Sequence, residues 1–452
     1  MGNQYLRRYA EPEARLLAEQ PPDCHYHHVL VIPAYRESAT VTDRLRRLAG
    51  KVEELLIIVV LNRPDTDPDA HCNDALRQAL QELAPAAGNK HPALALAHSS
   101  LHSLSASTDL LLVERPQPLP GREGVGLARK LGCDIAAGLH QAGRIRSRWL
   151  HSSDADAHLP ENYFYQAELQ PTAAVAITHP FVHRQPPDGL SARGSPPHGW
   201  PARGSPPDLP MTLYELRLHY YVLGLRSAGS PYAFHTLGSC LSVAVEAYQQ
   251  VRGYPRRAAA EDFYLLNKVA KLGPVSTPDF PQITIDARHS GRVPFGTGPA
   301  LRELASSANP LDQALFYHPH SFHALSAVLG AVPGLYDSRQ PLQSLASALE
   351  QYAPALHVLE RHGVEKCLQH CQKQSRNAAA FIRHFDQWFD GFRTLKLIHG
   401  LRELGWNDLN LAQSLEHPDR IWPQTDPGDC DPQALLRACQ NEFGWTENPG
   451  SP

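Results

Sequence analysis

The sequence predicts an α/β protein, with a mostly parallel sheet carrying helices on both faces and a helical module in the C-terminal third. Three observations lead there. Short apolar runs rich in β-branched residues recur between residues 29 and 178, each ending in a polar loop. Stretches of helical periodicity separate them. Beyond about Pro310 the strand-like runs stop and only helical spacing remains.

The first run is Val29 to Ile32, closed by Pro33, and the second is LLIIVVL, Leu55 to Leu61, closed by Asn62. Leu110 to Val113, Trp149-Leu150 and Ala173 to Thr178 follow. Runs that are apolar on both faces suit strands buried between layers of helices. Thr40 to Leu48 and Gly126 to Leu139 carry the helical spacing between them, and such alternation favours parallel strands. Residues 185–210 hold ARGSPP twice, at Ala192–Pro197 and Ala202–Pro207. Proline and glycine dominate there and little can be buried, so a flexible surface insertion is expected. A helix is expected from Met211 to about Leu225.

In the last third, helices are expected over His318–Leu335, Pro341–Tyr352, Ala355–His370 and Ala378–Leu404, with shorter ones at Asn410–Leu415 and Asp431–Phe443. The organisation read from these signals is an N-terminal extension over 1–26, an α/β domain over 27–305 and a helical module over 306–452.

Of the 452 residues, 42% are hydrophobic and 19% charged, and the formal net charge is -4. That balance belongs to a soluble globular protein and gives no electrostatic footprint for nucleic acid or a membrane surface. No apolar stretch reaches the roughly 18 residues of a transmembrane helix. The opening residues lack the apolar core of a secretory signal, and Leu6 stands where a myristoylation signal needs Ser or Thr. The eight cysteines are scattered and read as reduced thiols. A cytoplasmic enzyme is expected.

Two motifs carry chemistry first. VIPAYRES, Val31 to Ser38, closes the first strand and so reaches the C-terminal sheet edge, where open α/β folds bind ligands. HSSDADAHLPENYF, His151 to Phe164, follows the fourth strand. In extended chain Asp154 and Asp156 point to one side, and two carboxylates beside a diphosphate suit Mg²⁺ or Mn²⁺. The alternative is an acidic loop capping the next helix, with Asp156 or His158 near its N-terminus ahead of Pro160.

VIPAYRE, SSDAD and SCLSVAVEAYQQVRGYPRRAAAEDFYLLNKVAKLG, Ser239 to Gly273, occur in the order and spacing of one family. Over roughly residues 27 to 300 the chain resembles bacterial, nucleotide-sugar-dependent glycosyltransferases of the family-2 type, with the Rossmann-like GT-A fold. The resemblance implies that Pro33, Ala34, Tyr35, Glu37 and Asn62 hold the nucleoside. Asn62 replaces the family's usual aspartate, with Asp65 nearby. Asp154 and Asp156 would bind the metal, and Asp154 the donor diphosphate as well.

GREGVGLARKLGCDIA, Gly121 to Ala136, places glycines before a helix, where backbone can approach phosphate and Arg129 or Lys130 can add charge. A plain start to a helix explains the same residues. In AAAEDFYLLNKVAKLG, apolar spacing from Phe263 to Leu272 predicts a helix closed by Gly273 and Pro274. Glu261 and Asp262 fall in its first turn, where the helix dipole favours acids by about 0.3–1 kcal/mol. The resemblance makes Asp262 the general base, with Glu261 beside it. The dipole should hold Asp262 low, so an apolar setting or the acceptor must raise it. Tyr264 and Lys268 stand where the family often has aspartate and arginine.

In ARHSGRVPFGTGPAL, Ala287 to Leu301, His289 resembles a third metal ligand and Arg292 a clamp on the diphosphate. His362, Cys367, His370 and Cys371 read as helix packing rather than a zinc site. The expected reaction is transfer of a sugar, most simply a hexose, from a UDP- or GDP-sugar to an unidentified acceptor. Asp262 is the base if the enzyme inverts and positions the acceptor if it retains. Two rivals stand beside it. One is nucleotidyl transfer, which VIPAYRES disfavours because it lacks the glycines of that chemistry. The other is an inactive scaffold working through the helical module. That module is left with three roles: binding acceptor, forming a homodimer or bracing the sheet.

Overall fold

The computed structural model describes residues 2–83, 91–184, 209–287, 297–424 and 431–445. It is α/β, with a mixed, mostly parallel sheet and many C-terminal helices. The chain divides into two compact units. The first takes residues 1–206, 236–300 and 444–452, and the second takes 207–235 and 301–443. The helix Leu209–Ser227 therefore belongs with the C-terminal helices rather than with the sheet.

Among the described residues, eleven strands lie in the first unit: β1 (His28–Ala34), β2 (Leu55–Leu61), β3 (Ser99–Ser103), β4 (Thr108–Glu114), β5 (Trp149–Ser152), β6 (Ala157–His158), β7 (Ala176–Thr178), β8 (Phe181–Arg184), β9 (Leu241–Ala244), β10 (Val275–Ser276) and β11 (Ile283–Asp286). Eight form one sheet in the order β10-β7-β9-β5-β1-β2-β4-β3, and β6-β11-β8 form a second. β1 and β2 pair in parallel over their full length, from His28↔Leu55 to Ala34↔Leu61. Every residue of β2 is buried, as its two-faced apolar pattern requires.

Parts of the sheet depart from parallel pairing. β3 runs antiparallel to β4, and β9 runs antiparallel between β5 and β7. Leu241–Ala244 passes straight into the helix Val245–Gln250, with no glycine or proline to mark the change, so the sequence hides this strand. The expected strand from Ala173 shrinks to β7, because the Ala174 N–H turns back to the Pro171 carbonyl at 2.9 Å.

The helix Gly124–Gln141 is buried along almost its whole length and packs on β1, β2 and β5. The residues read as an N-terminal extension are built into this unit. Helices Gly2–Arg8 and Pro12–Glu19 bury Tyr5, Ala14 and Leu17, and Tyr5 Oη donates to Asp134 at 2.5 Å.

In the second unit the expected helices appear, but three of them are divided; Pro341–Tyr352 stops at Ala348 and ends in a 3₁₀ turn over Glu350–Tyr352. Residues 355–370 break at His362–Gly363 between Ala353–Arg361 and Val364–Gln374. Residues 378–404 break before Gly391, where the Asp390 carboxylate caps the next helix by accepting from the Arg393 N–H at 3.1 Å. Phe322, Leu325, Phe381, Phe385, Leu397 and Leu401 fill its core. Cys367 and Cys371 are buried with their sulfurs 3.7 Å apart, as packing residues on one helix face. Most of the proline- and glycine-rich stretch, 185–208, lies outside the described residues. Among the described residues no helix is long and apolar enough to cross a membrane.

Candidate active site

β5 stops at Ser152 and the chain leaves the sheet through Ser153 and Asp154. β1 leads to β2 on one side, while β5 arrives on the other after β4. The seam between β1 and β5 is therefore the switch point at which open α/β sheets bind ligands. The Ser153 N–H donates to the Val31 carbonyl at 3.0 Å, so Asp154 emerges beside Ile32 and Pro33. The Asp154 carbonyl then accepts from the Ala157 N–H at 3.1 Å. The two aspartates thus sit on a tight turn rather than on the extended chain that the alternation argument assumed.

Arg129 organises this corner. It is 3% exposed. Its Nη2 donates to Asp154 Oδ1 at 2.5 Å, its Nη1 to Ser152 Oγ at 2.8 Å and its Nε to Glu261 Oε1 at 2.8 Å. The acid pair after β5 and the acid pair opening the helix Glu261–Val269 are thereby joined through one guanidinium. Gly238 makes room for it: a Cβ there would stand 2.4 Å from Nη2. Ser153 Oγ donates to the Ser239 carbonyl at 2.9 Å, which fixes the adjoining strand of chain. The glycine of the Gly124–Gln141 helix start has a packing task as well. Gly126 donates its N–H to Arg257 at 2.9 Å, and a Cβ would lie 2.5 Å from the Pro255 carbonyl.

Burial pushes the Asp154 carboxyl up to about 6; Arg129 opposes the rise, and Asp156, Glu261 and Glu37 add to it. The side chain is 35% exposed, so water screens part of that effect. Burial also pushes Asp262 up to about 7, helped by Glu261 and opposed by the Phe263 N–H, which donates to Oδ1 at 2.7 Å, and by Arg129. The depression expected from the helix dipole is outweighed by desolvation and a neighbouring like charge. Glu261 itself is 4% exposed and serves as the inner anchor of Arg129.

At the neighbouring edge, Asn62 donates from Nδ2 to the Ala34 carbonyl at 3.1 Å, tying the end of β2 to the end of β1. Tyr35 Oη donates to Asp67 at 2.7 Å, and Arg36 grips the same carboxylate through Nε and Nη2, each at 2.8 Å. Asp65 accepts from the Gly121 N–H at 2.8 Å. Pro33 and Ala34 are buried and Glu37 is half-buried. The structure thus brings Pro33, Ala34, Tyr35, Glu37, Asn62, Arg129, Asp154, Asp156, Glu261 and Asp262 to one sheet edge.

Lys130, expected beside a phosphate, is turned away from that edge. Its ammonium is buried against Asp134 at 2.9 Å and Tyr5 Oη at 3.0 Å. His289 and Arg292 lie outside the described residues. Tyr264 stacks under the Arg257 guanidinium, 3.9 Å from the ring centroid.

Sequence reasoning assigned no role to Ser152 and Ser239, which fall inside the quoted motifs, or to Gly238 beside them; small residues are their only signal. It also missed a charged cluster behind the acidic turn. Arg44 Nη2 meets Asp286 Oδ2 at 2.5 Å, Arg184 Nε meets Oδ1 at 2.9 Å, and His158 Nε2 lies 2.9 Å from Oδ2. The Asp286 N–H donates to the Asp156 carbonyl at 3.0 Å, coupling the cluster to the turn. A cavity of about 240 Å³ opens between them, lined by Ile32, Val41, Arg44, Leu48 and Asp154.

The sequence matches no known protein family and no characterised protein. The chemistry of this edge rests on its own side chains.

Proposed function

We infer that the protein is a glycosyltransferase of GT-A type, moving a sugar from a nucleoside-diphosphate donor to an acceptor hydroxyl with a divalent cation bound at Asp154 and Asp156. The observation that carries the reading is the Arg129 bridge, which holds Asp154 and the start of the Asp262 helix at one switch-point edge. A group that receives a leaving diphosphate and a group able to take a proton are thus held together.

The charge of the edge supports a cation. The Arg129 guanidinium meets Asp154 and Glu261, and Asp156, Glu37 and Asp262 add carboxylate charge around them. An anionic diphosphate approaching that many carboxylates is repelled unless a further positive charge comes with it. Asp154 keeps one oxygen outside the Arg129 contact, and Asp156 stands two residues on along the turn. That donor set suits Mg²⁺ or Mn²⁺, which take one or two carboxylates and complete their shell with water and phosphate. A bound cation would offset charge on the departing diphosphate.

In an inverting reaction the acceptor oxygen forms its bond to the anomeric carbon as the bond to the diphosphate breaks. The diphosphate leaves with the electron pair, and the hydroxyl proton passes to Asp262. A carboxylate near 7 is a better base than one near 4 and is about half ionised at neutrality. In a retaining reaction Asp262 positions the acceptor instead. Tyr35, Glu37 and Asn62, at the ends of β1 and β2, are the proposed nucleoside side of the site.

Thermal-shift screening with UDP- and GDP-sugars, with and without Mn²⁺, tests the reading. Stabilisation that needs both ligands and disappears in Asp154→Asn supports it. The reading fails if no nucleotide sugar stabilises the protein in a metal-dependent way.

A further inference from the structure

At the opposite end of β1 from Asp154, two histidines meet a carboxylate. His28 opens β1 and Glu168 closes the helix Tyr163–Glu168. His27 Nε2 and His28 Nδ1 each lie 3.8 Å from Glu168 Oε1, and the three ligand atoms fall within 4.8 Å of one another. Among the described residues this is the one group of three His, Cys, Asp or Glu ligand atoms gathered so closely. The separations are too long for hydrogen bonds. They are near what a shared ion needs, since two ligands at about 2.1 Å from a tetrahedral zinc ion stand about 3.4 Å apart.

Three further features point to a cation rather than to a chance meeting. His28 Nδ1 is buried and has no hydrogen-bond partner, a state that buried polar atoms rarely occupy. The Ser147 hydroxyl donates to the same Glu168 oxygen and accepts from the Trp149 N–H at 3.1 Å. A fixed outer partner of this kind is what orients metal-binding carboxylates. The backbone N–H groups of His27 and His28 both donate to the Glu54 carbonyl, at 2.7 and 3.0 Å, so the pair is held in place. His27 is 38% and Glu168 32% exposed, which leaves the group open to ions from solution.

We propose that His27, His28 and Glu168 form a binding site for a divalent transition metal of the Zn²⁺ class, with a fourth position open to water or a small ligand. Two imidazoles and one carboxylate suit Zn²⁺ and its neighbours, whereas Mg²⁺ and Ca²⁺ prefer oxygen throughout. The site is separate from the acidic turn, because β1 spans about 20 Å between the two. A bound ion ties the first residue of β1 to the end of the Tyr163–Glu168 helix.

The test is calorimetric titration of the chelator-stripped full chain with Zn²⁺, in excess Mg²⁺ so that all-oxygen sites are already filled. One Zn²⁺ is expected to bind per chain. His27→Ala and Glu168→Gln should each weaken it by more than tenfold and Ser147→Ala by about tenfold, while Asp156→Asn leaves it unchanged. Because His27 is partly exposed, circular dichroism of His27→Ala should remain that of the parent, which separates a lost ligand from a lost fold. Absence of Zn²⁺ binding overturns the proposal, as does binding that survives both His27→Ala and Glu168→Gln or disappears only in Asp156→Asn.

Discussion

The Nη2 of Arg129 stands 2.5 Å from Asp154 Oδ1 while the Nε of the same guanidinium holds Glu261 at 2.8 Å. A buried cation shared by two carboxylates is costly to remove, because the carboxylates stay behind without it. Arg129→Leu should lower the unfolding free energy by about 3–5 kcal/mol, read from urea denaturation. Adding Glu261→Gln should recover a large part of that loss. No recovery would mean that Glu261 is not the partner at stake.

Gly238→Ala tests the same corner from outside. The new methyl overlaps Nη2, and overpacking of this kind costs about 1–3 kcal/mol. The guanidinium must shift, so Mn²⁺-dependent donor stabilisation should weaken along with melting temperature. A variant that melts lower but binds donor as before would uncouple Arg129 from the site.

On the proposed reading, Asp262 should give a pH signature in activity. The base must be ionised, so kcat/KM should climb with pH and level off above about 7. Asp262→Asn should cost about 10²–10⁴-fold in kcat and abolish that limb while donor binding persists. A variant that retains both rate and limb excludes Asp262 as the base.

Stability should follow pH with the opposite sign. A carboxyl raised by burial, as Asp262 is, binds its proton more tightly when folded. Its contribution therefore falls as pH rises from about 4, the unfolded value, to about 7. Asp262→Asn should flatten that decline in melting temperature. Asp286 acts the other way. Despite burial, its hydrogen bonds to His158 and Arg184 hold it below the ordinary range. Its contribution is present above pH 4 and lost below it, so Asp286→Asn should blunt the acid limb of the melting curve.

Tyr5→Phe removes a donor from the buried Asp134 carboxylate. Hydrogen bonds to charged groups contribute about 1.5–3 kcal/mol, so denaturant stability should fall by that amount with donor affinity unchanged. Lys130→Met should likewise lower stability and spare donor affinity, which would separate Lys130 from the phosphate role that its sequence position suggested.

The central strands were legible because LLIIVVL is apolar on both faces and stops before Asn62, as β2 does. β9 was not, because its four residues merge into a helix without punctuation. The acidic turn was legible as a motif, yet its geometry was not. What fixes Asp154 is Arg129, 25 residues upstream, and what fixes Arg129 is Glu261, 132 residues on. Spacing rules reach neighbours along a helix or strand and cannot register such partners. The link of Arg44 to Asp286 spans 242 residues and leaves no local pattern at all. Lys130 illustrates the converse error. It lies one residue from Arg129 on the same helix, and the 100° turn between them directs it to a different set of neighbours.

The helix Leu209–Ser227, placed in the second unit, packs there against Pro432–Glu442, with Gln433 donating to Thr212. Roughly 200 residues separate the two in the chain. A ribosome adding about 5–20 residues per second needs about 10–40 s to cover that distance. Throughout that interval Thr212, buried and bonded to Gln433 in the finished protein, has yet to meet this partner. Until the second unit closes, the nascent chain carries a helix face without this late partner, the kind of transient surface through which incomplete folds aggregate.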